Sequence, residues 1–297
     1  GVDLSNIDRL LYKAICDGMS FNPGSPFQVG YVLSSRGHFL PMTRSRQQLA
    51  TDEATLRRLQ DPLAELILLY RHAHKMLSTY LRPLADMERA YSYFGLDTST
   101  GRLTSSNINL QNIPAKVEKG IAPTIRSMFI PDNSVFTKLD ASQLELRILA
   151  HLSGDQQMLS VYAEGGDIHE VTRAELDTTR RYANIFNFGM VYGADEQSLA
   201  DSIGSTDLAL VRGLRSRWMA TYREAAQWIL TQQELGLRQG WVETLYGRHI
   251  RLPTEEGEKH MRNCAVNFPV QGTAAEIVKR IMLELEPLLP HLRLQVH

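Results

Sequence analysis

The 297-residue sequence is poor in cysteine, carries no membrane-length apolar run and shows almost no charge bias. Its two cysteines, Cys16 and Cys264, lie far apart and in no metal-ligand spacing. That excludes a disulfide scaffold or a zinc ribbon and points to buried free thiols in a reducing compartment. No uninterrupted apolar stretch approaches the roughly 18 residues that a membrane helix needs, so no membrane partner is expected. Gly1–Leu11 carries acids and lacks a basic-then-apolar signal layout, which fits a soluble intracellular protein. With 32 Lys and Arg against 33 Asp and Glu, the formal charge of −1 excludes a wholly basic surface, but not a local basic groove. Repeats and low-complexity linkers are also missing. The composition, 43% hydrophobic and 22% charged, excludes a disordered or fibrous chain, and the length suits about two domains.

What is present is a mixture of helical and strand patterns without a regular βαβ rhythm, which predicts an α+β fold. Ile7, Leu10, Leu11 and Ile15 lie at helical spacing before a break at Phe21-Asn22-Pro23-Gly24-Ser25-Pro26. A helix is expected from Pro62 to about Tyr80, with Leu63, Leu66, Ile67 and Tyr70 inward and Arg71, His72, His74 and Lys75 on a solvated face. Residues 97–114 are dense in Gly, Ser, Thr and Asn, which argues against regular structure and suits a surface that meets a polar ligand. A strand is expected over Ser134–Asp140, then helices near Leu144–Leu152, Thr178–Tyr192, Leu208–Leu235 and Ala274–Leu285. Alternation at Leu292, Leu294 and Val296 predicts a closing strand.

Two constellations carry chemistry. Asp140, at the expected strand end, is an oxygen ligand suited to a hard cation such as Mg²⁺. Ser142 and Glu145 just after it satisfy a capping box, which alone is the better explanation of Glu145. Arg180, Asn184, Phe188 and Tyr192 are four residues apart and share one helical face, presenting a cation, an amide and two aromatic planes in a row. Such a row matches a nucleotide laid along a helix, cation on phosphate and ring on base, although an aromatic stripe is more often core packing. His169 could add a phosphate donor, and Arg212, Arg215, Arg217 and Arg223 form a strip suited to a phosphate backbone or to solvent. Asn267 and Gln271 are polar groups able to read base edges or simply to face water.

In this order the segments resemble the family A, DNA polymerase I-like, DNA polymerases. Thr100-Gly101-Arg102-Leu103-Thr104-Ser105-Ser106 with Asn109-Leu110-Gln111-Asn112-Ile113-Pro114 is similar to that family's primer–template loop. Asp140–Arg147 resembles its motif A, Arg180–Gly193 its motif B, and Leu294-Gln295-Val296-His297 the opening of its motif C. Gly247-Arg248 and Phe268–Ala275 match as well. The resemblance implies a right-hand polymerase fold with a palm antiparallel sheet, helical fingers and a helical thumb. It would place the thumb and its base at 1–85, the first part of the palm at 86–154, the fingers at 155–238 and the second part of the palm at 239–297. It implies a monomeric DNA-directed DNA polymerase of cytoplasm or nucleoid, without proofreading in this chain. That enzyme would add deoxynucleotides from dNTPs to a primer 3′ hydroxyl by phosphoryl transfer with two Mg²⁺ ions, Mn²⁺ being able to substitute.

By the same resemblance, Asp140 and the Ala141 carbonyl would bind metal. Gln143, Glu145, His169, Arg180, Phe188 and Tyr192 would surround the nucleotide, and Glu145 would exclude a 2′ hydroxyl. Arg102, Asn109, Gln111, Asn112, Asn267, Gln271 and His297 would contact primer–template DNA. Asp140, Arg180, Asn184 and His297 would form the catalytic set. The sequence departs from the family's pattern where Asn184 replaces a triphosphate-gripping Lys, a loss on the order of 10²–10³ in rate for one preorganised charge. Ala141 replaces a Tyr, and the Val171–Thr179 connector is shorter than expected, which suggests missing segments. The Asp-Glu that follows His297 in the family lies beyond this sequence, and Asp140 alone is not expected to sustain turnover. These departures leave a non-catalytic primer–template-binding protein as the alternative. Glu145→Ala should relax sugar selection in a primer-extension assay with NTPs, and continued rejection of NTPs would overturn the gate assignment.

Overall fold

The computed structural model describes residues 21–43, 48–114, 125–131 and 135–287. The expected helix over Ile7–Ile15, Cys16, the closing strand and His297 lie outside them. The described chain divides into two compact units, passing from the first to the second between Ala90 and Tyr91, with Ile125 returning to the first.

In the first unit, Ser25 accepts the Gln28 N–H and Pro26 opens helix α1 (Pro26–Ser35), a pairing of side-chain cap and preset φ that starts a helix firmly. Helix α2 (Glu53–Arg58) starts on Asp52 and α3 (Pro62–Lys75) on Asp61; α3 continues through a π-helical stretch, Met76–Leu81, and a last turn, Arg82–Leu84. Leu63 and Ile67 of the expected stripe are buried with Val29, Leu33 and Leu56, whereas Tyr70 is exposed. Arg71 is not on a solvated face. Its guanidinium donates to the carbonyls of Pro23 at 2.8 Å and Thr51 at 2.5 Å. Asp61 also accepts from Arg36 and His38; burial raises its carboxyl, but these bonds and the Leu63 amide together hold it below the ordinary range.

The second unit opens with strands β1 (Tyr93–Gly95) and β2 (Thr104–Ser106), antiparallel with Tyr93 opposite Ser106. Part of the stretch read as irregular is therefore a strand. Residues 135–140 are not one: among the described residues they have no ladder partner, and Val135, Phe136 and Leu139 are exposed. A strand exists by pairing, and the other strand expected for the palm, Leu292–Val296, lies outside the described residues. Helices α4 (Leu144–Ser153), α5 (Gln156–Ala163), α6 (Ile168–Glu175), α7 (Arg180–Val191), α8 (Glu196–Ile203), α9 (Leu208–Thr221) and α10 (Arg223–Gln239) follow. The hairpin β3 (Trp241–Glu243) with β4 (His249–Arg251) leads to α11 (Glu258–Leu285). α11 begins 16 residues before the expected start, Ala274, because it runs straight through the buried Pro269. Helices with small antiparallel sheets make the fold α+β, as expected. No described helix is long and apolar enough to cross a membrane.

The core of this unit gathers Leu146 and Leu149 of α4, Met158 of α5, Phe186 of α7, Trp218 of α9, Tyr222, and Val266 and Val270 of α11. Each such side chain contributes about 1.5–3 kcal/mol of burial. The sequence pattern suggests one helix over Leu208–Leu235, but Tyr222 leaves helical geometry at φ −111° and ψ 70°. The break is held by Asp155, a buried carboxylate that caps two helices at once. Its Oδ1 accepts the Met158 N–H of α5 at 2.9 Å, and its Oδ2 accepts the Ala225 N–H of α10 at 3.1 Å. Tyr222, at the head of α10, offers no side-chain cap of its own. Burial pushes the Asp155 carboxyl above its ordinary range even with both amides bound. Asp155→Ala should therefore destabilise the chain by about 2–4 kcal/mol in urea denaturation, one cap and one orphaned amide at each helix. Asp155→Asn should lose less, since its oxygen still serves one amide. Equal stability of all three would show that the break at Tyr222 is held by packing alone.

Candidate nucleotide and primer–template site

Helix α7 places the expected row where a ligand can reach it. Thr179 caps the helix by accepting the Tyr182 N–H, and Ala183, Phe186, Asn187, Met190 and Val191 turn into the core. Arg180, Asn184 and Tyr192 are exposed, while the half-buried Phe188 packs against the edge of the core, so core packing accounts for Phe188 and not for the rest of the row. The rings of His169 and Phe188 are 5.7 Å apart and those of Phe188 and Tyr192 6.2 Å, a ladder along the helix.

At the N-terminal end of the row, Arg180 is already engaged. Its guanidinium bonds Asp167 Oδ2 and Glu170 Oε1, each at 2.6 Å. Asp167 in turn accepts the His169 backbone N–H and the Gln143 side-chain amide, both at 2.9 Å, tying α4, α6 and α7 together. Burial raises the Asp167 carboxyl, but Arg180 and the two amides outweigh it and hold it below its usual range. Arg180 keeps about half its side-chain surface exposed (52%), so solvent screens both ion pairs and a polyanion can displace them.

At the other end, Tyr192 donates to Glu145 Oε2 at 2.5 Å, and Arg102 pairs with Oε1 of the same carboxylate. Burial, and then the bond to Glu145, push the Tyr192 phenol above its ordinary range, so it stays an O–H donor. The capping box does not form. The residue heading α4 is Gln143, at φ +56°, with no side-chain cap, so Ser142 and Glu145 are out of register and Glu145 turns to Arg102 and Tyr192. Two buried atoms here, Arg102 Nε and Gln143 Oε1, have no partner among the described residues, which leaves hydrogen-bonding capacity at both ends of the row.

The loop carrying Arg102 is clamped from behind. Arg248 donates to the Thr100 carbonyl at 2.6 Å and to the Ser99 carbonyl at 3.4 Å while bonding Glu276 of α11 at 3.0 Å. Lys279 donates to the Gly101 carbonyl at 3.0 Å. Gly101 sits at φ +73° with space for a Cβ closed by the Arg248 guanidinium at 2.9 Å, so the position admits glycine on both counts. Asn109 accepts the Asn112 N–H in the 3₁₀ turn Leu110–Asn112 that also carries Gln111. Asn267 and Gln271 are half-buried one turn apart on α11.

Asp140 and Ala141 are exposed, Asp140 lying 3.8 Å from the Lys138 ammonium. Among the described residues no three His, Cys, Asp or Glu side chains converge as a metal site. A lone carboxylate fits a divalent cation that arrives with its oxygens supplied by phosphate and water, since Mg²⁺ is held by one or two carboxylates in such sites.

Sequence reasoning missed Asn187, Thr172, Trp218, Tyr222 and Asp155. The signal for Asn187 was an amide among the apolar positions 183, 186, 190 and 191 of one helix face. Cys264 is buried, as expected, and burial raises its thiol.

The sequence matches the family described as DNA polymerase family A over residues 2–297, and the chain belongs to that family. It is 36% identical to the thermostable DNA polymerase I of Thermus filiformis over 94% of its length, and 34% identical to DNA polymerase I of Lactococcus lactis over 99%. The chain spans only 37% and 36% of those proteins. Its fold matches the solved POL domain of Pol1 from M. smegmatis, a complex with DNA primer-template and dNTP, at a TM-score of 0.82. Sequence identity is 25% over 97% of this chain and 54% of that one. The fold is thus the right-hand polymerase fold, and a non-catalytic reading is not favoured by these relatives. Family A DNA polymerases generally use divalent metal ions.

Arg248→Ala should lower amide-exchange protection across Asp97–Leu103 by about 10–100-fold, the worth of hydrogen bonds to a charged group, and leave α9 and α10 unchanged. Unaltered exchange in the loop would show that Arg248 does not hold it.

Proposed function

We propose that this chain carries the nucleotidyl-transfer centre of a DNA-directed DNA polymerase, adding deoxynucleotides from dNTPs to the 3′ end of a primer under direction of a template. The observation that carries the reading is the row on α7: a cation, two stacked aromatic rings and a carboxylate–phenol pair, laid out in the order phosphate, base and sugar edge require. Arg180 exchanges its carboxylates for triphosphate oxygens, with His169 beside it. Phe188 stacks on the nucleotide, Tyr192 borders the template base, and Glu145 fills the space a 2′ hydroxyl would need. Arg102, Asn109, Gln111, Asn112, Asn267 and Gln271 contact the primer–template, with His297 beyond the described residues adding to them. These contacts position the duplex without reading its sequence.

Asp140, with the Ala141 carbonyl, would hold Mg²⁺ (or Mn²⁺) brought in on the triphosphate. Such ions polarise phosphoryl oxygens and neutralise developing charge. The first unit is the thumb and its base, and the second holds palm and fingers, with a monomer as the working form. Asn184 occupies an exposed position in the phosphate half of the row and supplies no charge.

Primer extension with dNTPs and Mg²⁺, by the chain continued through the Asp-Glu expected after His297, tests the reading, and the expected product grows by template-matched nucleotides. Asn184→Lys should raise the single-turnover rate at least tenfold, toward the 10²–10³ that one preorganised charge contributes. Tight binding of primer–template with no extension by either protein would overturn the reading in favour of a binding module.

A further inference from the structure

Behind the row lies a buried set of polar side chains that ends on His169. Asn187, Thr172, Trp218 and Tyr222 are all fully buried, and His169 is nearly so (7% exposed). The Trp218 indole N–H donates to Asn187 Oδ1 at 2.8 Å. An indole nitrogen only donates, so the Asn187 amide has one permitted orientation, oxygen toward Trp218 and Nδ2 hydrogens the other way. Nδ2 then lies 3.0 Å from His169 Nδ1, which must accept. Thr172 Oγ1 lies 3.0 Å from Asn187 Oδ1, 2.8 Å from the Ile168 carbonyl and 2.7 Å from Tyr222 Oη, and its single hydrogen serves one of them, so the indole alone sets the amide. Burial pushes the Tyr222 phenol up to about 12, so it remains a donor at any working pH.

The chain of donors has one consequence at its end. An imidazole whose Nδ1 accepts from an amide carries its single hydrogen on Nε2, and protonating Nδ1 would set two donors against each other. We propose that Asn187 is a positioning residue that fixes His169 as the neutral Nε2–H tautomer, so that this ring meets the triphosphate as an uncharged hydrogen-bond donor and not as an acid. The proposal rests on the polymerase reading for the identity of the phosphate group, but the tautomer itself does not. Among the described residues no group takes the Nε2 hydrogen. The charged groups facing the ring are Asp167 and Glu170 on α6, which favour an imidazolium, and Arg180 on α7, which opposes it; Tyr222 reaches it through Thr172 and Asn187. Burial is the largest influence and lowers the imidazole below its ordinary value, in the same direction as the amide.

Imidazole ¹⁵N shifts of His169 in the wild-type chain, followed from about pH 8 to about pH 5.5, read the tautomer directly across the ordinary histidine range. The expected spectrum shows Nε2 protonated and Nδ1 bare throughout. An Nδ1–H ring or an imidazolium at neutral pH overturns the proposal, and no variant has to fold for that result. In Asn187→Asp the carboxylate still accepts from Trp218 but now also accepts from Nδ1–H. The proton should move to Nδ1 and a titration should enter the window. The dNTP KM should then rise on the order of tenfold, the worth of one hydrogen bond to a charged group, with kcat changing less. In a His169→Gln background, where an amide donates whatever stands at 187, the same substitution should add little to KM. Equal losses in both backgrounds would assign Asn187 to packing and overturn the proposal. The spectrum needs no turnover. A wild-type chain with Nε2–H that extends no primer supports the positioning and overturns the polymerase reading instead.

Discussion

The carboxylate of Asp155 is the contact on which the larger unit turns. By capping α5 and α10 together it makes room for a break at Tyr222, in a stretch that would otherwise run on as one helix. The break lets Trp218 and Tyr222 stand edge to face, 5.2 Å apart, and both point their polar atoms inward. Those atoms meet Thr172 and Asn187, which carry the effect to the functional row on α7. A helix-capping bond 70 residues apart in sequence thus sets the orientation of an amide next to the nucleotide site. Breaking it leaves buried amides without acceptors, which costs more than a surface cap because no water replaces the lost partner.

Much of the site was legible in the sequence for simple physical reasons. Residues four apart on a helix share a face whatever surrounds them, so the row Arg180, Asn184, Phe188, Tyr192 could be drawn without a structure, and the cap at Thr179 fits it. The loop around Gly101 was also recognisable, from its density of Gly, Ser, Thr and Asn, although Thr104–Ser106 within it pairs as a strand. Features that depend on distant partners were not. The strand over 134–140 was inferred from composition, but pairing decides a strand. The capping box failed because a left-handed Gln143 shifted the start of α4, a conformation that local pattern does not announce. Asn187 looked like one polar residue on a core face, and its meaning lies in three partners on two other helices.

The two ends of the row are prepared differently. At the Glu145 end the partly buried carboxylate is held by Arg102 and Tyr192, so the proposed wall of the nucleotide site is fixed without any ligand. At the Arg180 end the cation is exposed and its partners are exchangeable. A rigid wall suits discrimination by shape, since a flexible one would yield to a slightly larger sugar. An exchangeable clamp suits a group that must bind, react and leave as a product.

The ion pairs of Arg180 also bear on ionic strength. A bare arginine that captures phosphate gains an attraction that salt steadily screens away. On the proposed function the guanidinium would trade two carboxylates for phosphate oxygens, so salt would weaken the resting state and the loaded state together. The net dependence is a difference between two screened attractions, smaller than the charge on the triphosphate would suggest. Asp167 and Glu170 would then act as a buffer against changes in the ionic surroundings, levelling nucleotide affinity across salt concentrations at the expense of its maximum.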